Sequence, residues 1–312
     1  MKIVFMGTPD LAAAALKSLI EAGHEIVLVV TQPDKPKGRS GQLQTSPVKD
    51  VAVEAGIPVF QPVKIRLAEE VAELKKYEAD VYIVAAFGQI LSQEILDIPR
   101  YGCLNIHASL LPKYRGAAPI QYVIVDGEEK TGITIQQMNA GIDTGDILYT
   151  VETPISEDET FETLHDRLAE MGAKAIVDML PLLEQGKITP VPQNDADSCY
   201  VKIIKKEQGH IDFTKPAIAI ERLVRGLNPW PSAFTFMNGK QVKVWVAKAI
   251  DDGSEAKPED CGIVSAVSKE YIDVQTAKGV LRIFELQIEG KKRMTTQAFL
   301  LGAKIQAGTK LG

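Results

Sequence analysis

Apolar residues fall along this chain in two different rhythms. In the first half, runs such as "KIVFMG", "EIVLVVT" and "DVYIVAAFG" are continuous, and amphipathic stretches such as "LAAAALKSLIEAG" and "AEEVAELKKY" separate them. A continuous Val/Ile-rich run is apolar on both faces of a strand. These runs therefore predict a mainly parallel sheet with helices on both sides. "SPVKDVAVEAG" predicts a helix with Ser46 as N-cap and Pro47 at its first position. "GCLNIHA", "TGITIQQM" and "DILYTVETPI" add strands, and a long helix over roughly 159–185 closes this half.

After residue 189 the rhythm changes. "ITPVPQNDADSCYVKIIKKEQGHIDF" is aperiodic and rich in Pro, Asn and Asp, which predicts a linker over 190–207. A helix, "PAIAIERLVRGLN", precedes the alternating stretches "AFTFMNGKQVKVWVAKAI", "GIVSAV" and "YIDVQTAKGVLRIFELQ". With their Asn-Gly and Lys-Gly turns these predict a small antiparallel, OB-like β-barrel over 208–312. The expected architecture is α/β: a Rossmann-like domain over 1–189, then this barrel.

Composition narrows the class. The chain has 312 residues, 45% of them apolar and 24% charged, which is enough to build two ordinary cores. Its three cysteines lie far apart with no Cys-x-x-Cys pairing, so a reducing compartment and no disulfide framework are expected. "MKIVFMGTPD" is too short for a signal-peptide core and no apolar run could span a bilayer. A cytoplasmic protein without membrane contact is expected. The net charge of −6 hides an asymmetry: residues 1–205 carry 19 Lys+Arg against 29 Asp+Glu, and residues 206–312 carry 16 against 12. Either a polyanionic partner of the basic half or an unevenly charged surface accounts for that.

Candidate chemistry concentrates in two places. "MGTPD" lacks both the G-x-G-x-x-G spacing and a G-K-[ST], which sets aside dinucleotide and P-loop readings. His24, His165 and His210 have no neighbouring ligand pattern, and no H-E-x-x-H or cysteine cluster exists, so no metal site is expected. Asn105 and His107 differ. Two apart on a strand, they share a face, at the C-terminal end where open α/β sheets place their crevice. A hydrogen-bonded structural pair would look the same. The loop "MNAGIDTGDIL" then carries Asp143 and Asp146 on a glycine-punctuated backbone, where Asp also serves as an ordinary turn residue. Beside an imidazole and an amide, Asp143 is a candidate proton-transfer group, with Asn105 and His107 as electrostatic stabilisers. No Ser or Cys presents itself as a nucleophile, which favours direct transfer between two bound substrates.

"LNIHASLLPKYRGAAPI" followed by "MNAGIDTGDIL" resembles the paired signature of the 10-formyltetrahydrofolate-dependent formyltransferases. "FMGTPD", "TQPDKPKGR", "SPVK", "VAAFGQIL", "LNPWPSAF" and "KVW" extend the resemblance over nearly the whole chain, toward the branch that acts on aminoacylated tRNA. Ala108, where a glycine occurs in that family, and Phe87, where tyrosine is common, are small departures outside the chemistry. The resemblance implies 10-formyltetrahydrofolate as donor, released as tetrahydrofolate, and the free α-amine of methionine on initiator tRNA as acceptor. It implies Asn105, His107 and Asp143 as the catalytic trio, and Ser109, Leu110, Leu111 and Pro112 as a folate-contacting segment. In "AFGQIL", Phe87, Gly88, Gln89 and Ile90 form either a second wall of the pterin pocket or an ordinary strand-to-helix turn.

The loop "QPDKPKGRSGQLQTSPVK" exceeds the roughly 2–6 residues that a βα connection takes. It sets Lys35, Lys37, Arg39 and Lys49 against Asp34, and the resemblance implies that it meets the tRNA acceptor end. Lys202, Lys205, Lys206, Lys291, Lys292 and Arg293 are candidates for phosphate contacts, which position RNA without reading bases. A monomer is expected. Among relatives of the same chemistry, the basic loop and barrel argue against a glycinamide ribonucleotide enzyme, and the chain is too short for the extra domain common in sugar-modifying ones. A non-catalytic binding module predicts loss of Asn105, His107 or Asp143, and all three are present.

Overall fold

In the computed structural model, which describes residues 1–37, 42–303 and 305–312, β1 (Lys2–Gly7) is buried from Ile3 onward. Its apolar residues point both ways, as a period of two requires. Val4 and Met6 join Leu28, Val30, Tyr82, Val84, Val71, Leu74 and Ile95 in one buried cluster. Ile3 and Phe5 are equally buried in the opposite direction. Removing such a side chain from water is worth about 1.5–3 kcal/mol, so continuous apolar runs end up central.

The first half runs through α1 (Asp10–Glu21), β2 (Glu25–Val30), a hairpin of β3 (Lys35–Lys37) and β4 (Gln42–Gln44), and α2 (Pro47–Glu54). Then come β5 (Val59–Phe60), α3 (Ala68–Leu74), β6 (Val81–Ala85), α4 (Gln93–Leu96) and β7 (Cys103–His107). They are followed by β8 (Arg115–Gly116), α5 (Pro119–Val125), β9 (Lys130–Gln137), β10 (Ile147–Pro154) and α6 (Phe161–Glu184). The seven-stranded sheet has the order β10-β9-β7-β6-β1-β2-β5. Its β5-β2-β1-β6-β7 portion is parallel, and β9 and β10 close one side antiparallel. Ser46 caps α2 as its sequence suggested: the Lys49 N–H donates to Ser46 Oγ at 3.1 Å, with Pro47 in the first turn.

The chain divides into two compact units, 1–119 with 130–154 and 165–201, and 120–129 with 155–164 and 202–312. The stretch expected as a linker, 190–207, divides at Val201. Backbone pairing is the reason. Val191 and Ile147 exchange both of their hydrogen bonds at 2.8 and 2.9 Å. Strand β11 (Tyr200–Val201) pairs in parallel with β8. Composition alone cannot report such pairing, because any residue except proline can supply it.

The second unit holds α7 (Ala217–Gly226), β12 (Ala233–Met237), β13 (Lys240–Glu255), β14 (Val264–Val267), β15 (Ile272–Gln275), β16 (Lys278–Ile288), β17 (Met294–Thr295) and α8 (Thr296–Leu300). All its strand pairs are antiparallel, in the order β12-β13-β16-β15-β14 with β17 on β16. Ile220 and Val224 of α7 pack into one core with Val244, Val274 and Leu281. Register shifts along β13 bend the sheet. The end strands β12 and β14 are joined through the C-terminal residues: the Gly308 and Leu311 N–H groups donate to the carbonyls of Val264 and Gly262, and the Gly312 N–H donates to that of Phe236, which closes the antiparallel sheet in the manner of the expected barrel.

Candidate active site

Strand β7 ends in the two polar residues that interrupt its apolar pattern. Asn105 lies opposite Gln136 of β9, and His107 lies opposite Thr134. Directly opposed residues on neighbouring strands share a face, so Asn105 and Gln136 form a pair of amides. Both donate to one carboxylate oxygen. Asp143 Oδ1 accepts from Asn105 Nδ2 at 3.2 Å and from Gln136 Nε2 at 2.8 Å. Asp143 Oδ2 accepts from the Gly116 N–H at 2.8 Å.

The backbone is shaped for this arrangement. Asp143 has φ +53°, in the left-handed region that Asp tolerates better than most residues. At Gly145, a Cβ would fall 1.7 Å from the Gln137 carbonyl oxygen, so only glycine lets the 138–146 loop turn so tightly onto β9. At Gly116, φ is +106° and a Cβ would meet the Val201 carbonyl at 2.4 Å.

His107 is 6% exposed. Its Nε2 is 2.9 Å from the Tyr114 carbonyl oxygen, which can only accept, so Nε2 carries a proton. Its Nδ1 then faces Asp143 Oδ1 at 3.7 Å, too long for a hydrogen bond. Each carboxylate oxygen can accept about two bonds. Oδ1 is thus fully used, and Oδ2 retains capacity for one more partner, such as a water. The Asn105 amide likewise keeps a second N–H. The cluster therefore combines an oriented carboxylate acceptor with a spare amide donor and an imidazole. That is the equipment for moving a proton beside a developing oxyanion.

Residues 1–180 match the Formyl transferase family, and residues 203–304 match the family's C-terminal domain, "Formyl transferase, C-terminal domain". The chain belongs to the formyl transferase family. It is 52% identical over 309 residues to the methionyl-tRNA formyltransferase of Agathobacter rectalis, covering 99% of both chains. It is 49% identical to that of Clostridioides difficile, covering 100% of both. Solved structures agree on the fold. An N-formyltransferase from Helicobacter canadensis, in complex with folinic acid and dTDP-3-aminofucose, superposes with a TM-score of 0.68 at 19% identity, over 94% of this chain and 100% of that one. HypX from Aquifex aeolicus with tetrahydrofolic acid gives 0.64 at 21% identity, over 97% of this chain and 47% of that one.

Among the residues that the family resemblance assigned to folate, several side chains already have structural partners. Ser109 is fully buried and its Oγ donates to the Lys113 carbonyl at 2.8 Å. Thr134 Oγ1 donates to the Ser109 carbonyl and accepts from the Leu111 N–H. Pro112 follows a cis peptide bond, and Leu110 and Pro112 are half-buried. Phe87 is 2% exposed within the sheet's core cluster, so its ring is not available as a pocket wall. Its carbonyl accepts from Thr8 Oγ1 and Gln32 Nε2. Gln89 is tied to the backbone of Pro62 and Ile65, and Gly88 takes φ +80°. Ile90 is the open apolar side chain of that segment, 67% exposed.

The basic residues are more loosely held. Lys35 and Lys37 lie on β3, and Arg39 lies outside the described residues. Lys49 is engaged: Nζ donates to Asp34 Oδ2 at 2.6 Å, and Gln61 donates to Oδ1 at 2.8 Å. These two bonds, the Lys49 one foremost, hold Asp34 below the usual carboxylate range. Lys202, Lys205, Lys206, Lys291 and Lys292 are exposed and make no ion pair among the described residues. Arg293 pairs with Glu285 and stacks 4.9 Å from the Trp245 ring centre.

No group of metal-ligand side chains occurs among the described residues, and none of their helices is long and apolar enough to cross a membrane. Cys103, at the start of β7, is pushed up to about 12 by burial and then by Asp97, so it stays a neutral thiol. Sequence reasoning missed Gln136. The signal was present: Ile133 and Ile135 supply one buried face of β9, and the polar Thr134 and Gln136 the other. The same anomaly had marked Asn105 and His107 on β7.

Proposed function

We infer that this protein transfers the formyl group of 10-formyltetrahydrofolate to the free amino group of methionyl initiator tRNA, the reaction that prepares that tRNA for translation initiation. The observation that carries this reading is the Asp143 carboxylate, gripped by Asn105, Gln136 and Gly116 beside His107. It sits in a chain about half identical, end to end, to methionyl-tRNA formyltransferases.

The folate supplies an activated formyl group on N10. The methionyl amine attacks the formyl carbon, and a tetrahedral oxyanion forms. The second N–H of Asn105 is available to that oxygen, and such a donor is worth about 10²–10³-fold in rate. Asp143 Oδ2 has room for a water that takes the proton from the attacking nitrogen and passes it toward the departing N10. His107 stands beside the carboxylate, with Nε2 fixed on Tyr114 and Nδ1 turned inward.

The exposed lysines at 35, 202, 205, 206, 291 and 292 suit contacts with the RNA backbone. The test is a substrate comparison with 10-formyltetrahydrofolate as donor. Formylation of methionyl initiator tRNA, with none of glycinamide ribonucleotide or free methionine, is the expected result. Preference for either small acceptor would overturn the reading.

A further inference from the structure

Residues 191–201 look like a connection in sequence and behave as a brace in three dimensions. Val191, Asn194, Asp195 and Tyr200 are exposed, and yet the segment reaches both halves of the catalytic cluster. Gln193 Nε2 donates to two carbonyls of the catalytic loop, Asp143 O at 2.9 Å and Gly145 O at 2.7 Å. Gln193 Oε1 accepts from Arg115 Nε at 2.9 Å. Arg115 is among the largest fully buried side chains in the protein, 1% exposed. Its Nη1 donates to the Tyr200 hydroxyl at 3.1 Å, and its Nη2 lies 2.9 Å from Asp195 Oδ1, at ion-pair distance without hydrogen-bond alignment.

On the histidine side, the Tyr114 N–H donates to Cys199 Sγ at 3.1 Å, and the Tyr114 carbonyl accepts from His107 Nε2. Tyr114 itself is held at φ +58°. One surface segment thus grips the backbone of Asp143 directly and that of the residue holding His107.

Asp143 needs this grip for a physical reason. Its side chain is fixed by three donors, but those bonds aim the carboxylate only if the left-handed backbone beneath it is also fixed. The neighbouring residues 139–142 are exposed or solvent-facing and do not provide that. A glutamine amide is suited to the task because its –NH₂ carries two hydrogens and can bridge two carbonyls, while its oxygen remains free to anchor on a guanidinium.

We propose that Gln193 is a positioning residue for the formyl transfer inferred above, holding the Asp143 backbone from the 191–201 strap with Arg115 as its buried anchor. A displacement near 1 Å at a reacting group costs about 10²-fold, so loss of the brace lowers kcat and not substrate affinity.

The test compares parent and Gln193→Glu in formylation of methionyl initiator tRNA by 10-formyltetrahydrofolate. This change keeps the size of the side chain and keeps or strengthens its contact with Arg115, but it sets an acceptor against two carbonyls. Expected are a fall in kcat of about 10- to 100-fold, KM for both substrates within about threefold, and an unchanged melting temperature. Gln193→Ala, which removes the donor without adding charge, carries the same expectation. It covers the case in which Gln193→Glu fails to fold. Because Gln193 is half-buried on a surface segment, the smaller side chain leaves no core cavity.

A folded variant with kcat within about threefold of the parent overturns the positioning role. So does a loss that appears only in KM. An inactive parent would instead overturn the proposed reaction, which keeps the two failures apart.

Discussion

The Asp143 site and the basic surfaces hold their polar groups in opposite ways. Around Asp143, three donors converge on one carboxylate and a fourth amide holds its backbone. Donors come from β7, β8, β9 and the 191–201 strap, so no single segment can move the carboxylate alone. The lysines at 202, 205, 206, 291 and 292 stand in water without an ion pair among the described residues. The difference follows from what each region has to do. A group that moves a proton must already stand where the transition state needs it, so its freedom is removed at folding. A group that meets a phosphate must release counterions and adapt to a flexible polyanion, so it is left solvated.

Changes at the rigid site should act on the chemical step, and the largest effect is expected from Asp143→Asn. The amide keeps the size but cannot accept the proton, and an amide nitrogen facing Gly116 or the Asn105 and Gln136 amides loses a bond. Single-turnover formylation should fall by about 10²–10⁴-fold, with folate binding nearly unchanged. Turnover within a few-fold of the parent would break the contrast at its strongest point. His107→Ala should follow, with a loss of about 10²-fold in the same single-turnover assay and tRNA affinity retained. A defect confined to tRNA affinity would move His107 to the docking side of the comparison.

On the solvated side, effects should be smaller and visible mainly through salt. Replacing Lys35, Lys37 and Arg39 together with alanine should weaken tRNA binding and flatten its log–log salt dependence by about one unit per lost phosphate contact. Folate binding should stay unchanged. Weaker folate binding with an unaltered salt slope would place this loop with the donor. The least effect is expected from Lys49→Met. Because Lys49 is bonded to Asp34, it has no free charge to give, and the salt slope should change by well under one unit. A change as large as that for one of the three loop residues would show that the ion pair opens to meet RNA.

Much of this contrast was legible in the sequence, and its gaps have physical causes. Continuous apolar runs marked the parallel sheet because burial on both faces leaves no alternation. Asn105 and His107 stood out because polar residues at the end of such a strand need partners. Gln136 and Gln193 did not stand out. They are uncharged, and their value lies in contacts with residues 7 and 50 positions away. The Gly116 N–H that holds Oδ2 is a backbone group, on which composition is silent. The Pro- and Asn-rich stretch after residue 189 reads as a linker in sequence because main-chain pairing at Val191 and β11 leaves no side-chain signature. Phe87 shows a further limit: an aromatic ring after a strand suits a pocket wall or a core equally well, and only packing assigned it to the core.

The turn between β9 and β10 follows a rule of its own. Asp143 is gripped by Gln136, seven positions earlier, and the chain between them folds on itself, with Asn139 Oδ1 accepting from the Gly141 N–H and Thr144 Oγ1. Ala140 and Ile142 within it are exposed. The identity of those two residues is therefore open to drift, while their number is not. One residue more or fewer would swing the carboxylate off the two amides that receive it. For anyone diversifying this enzyme, the turn is a place to vary letters freely and never to alter the count.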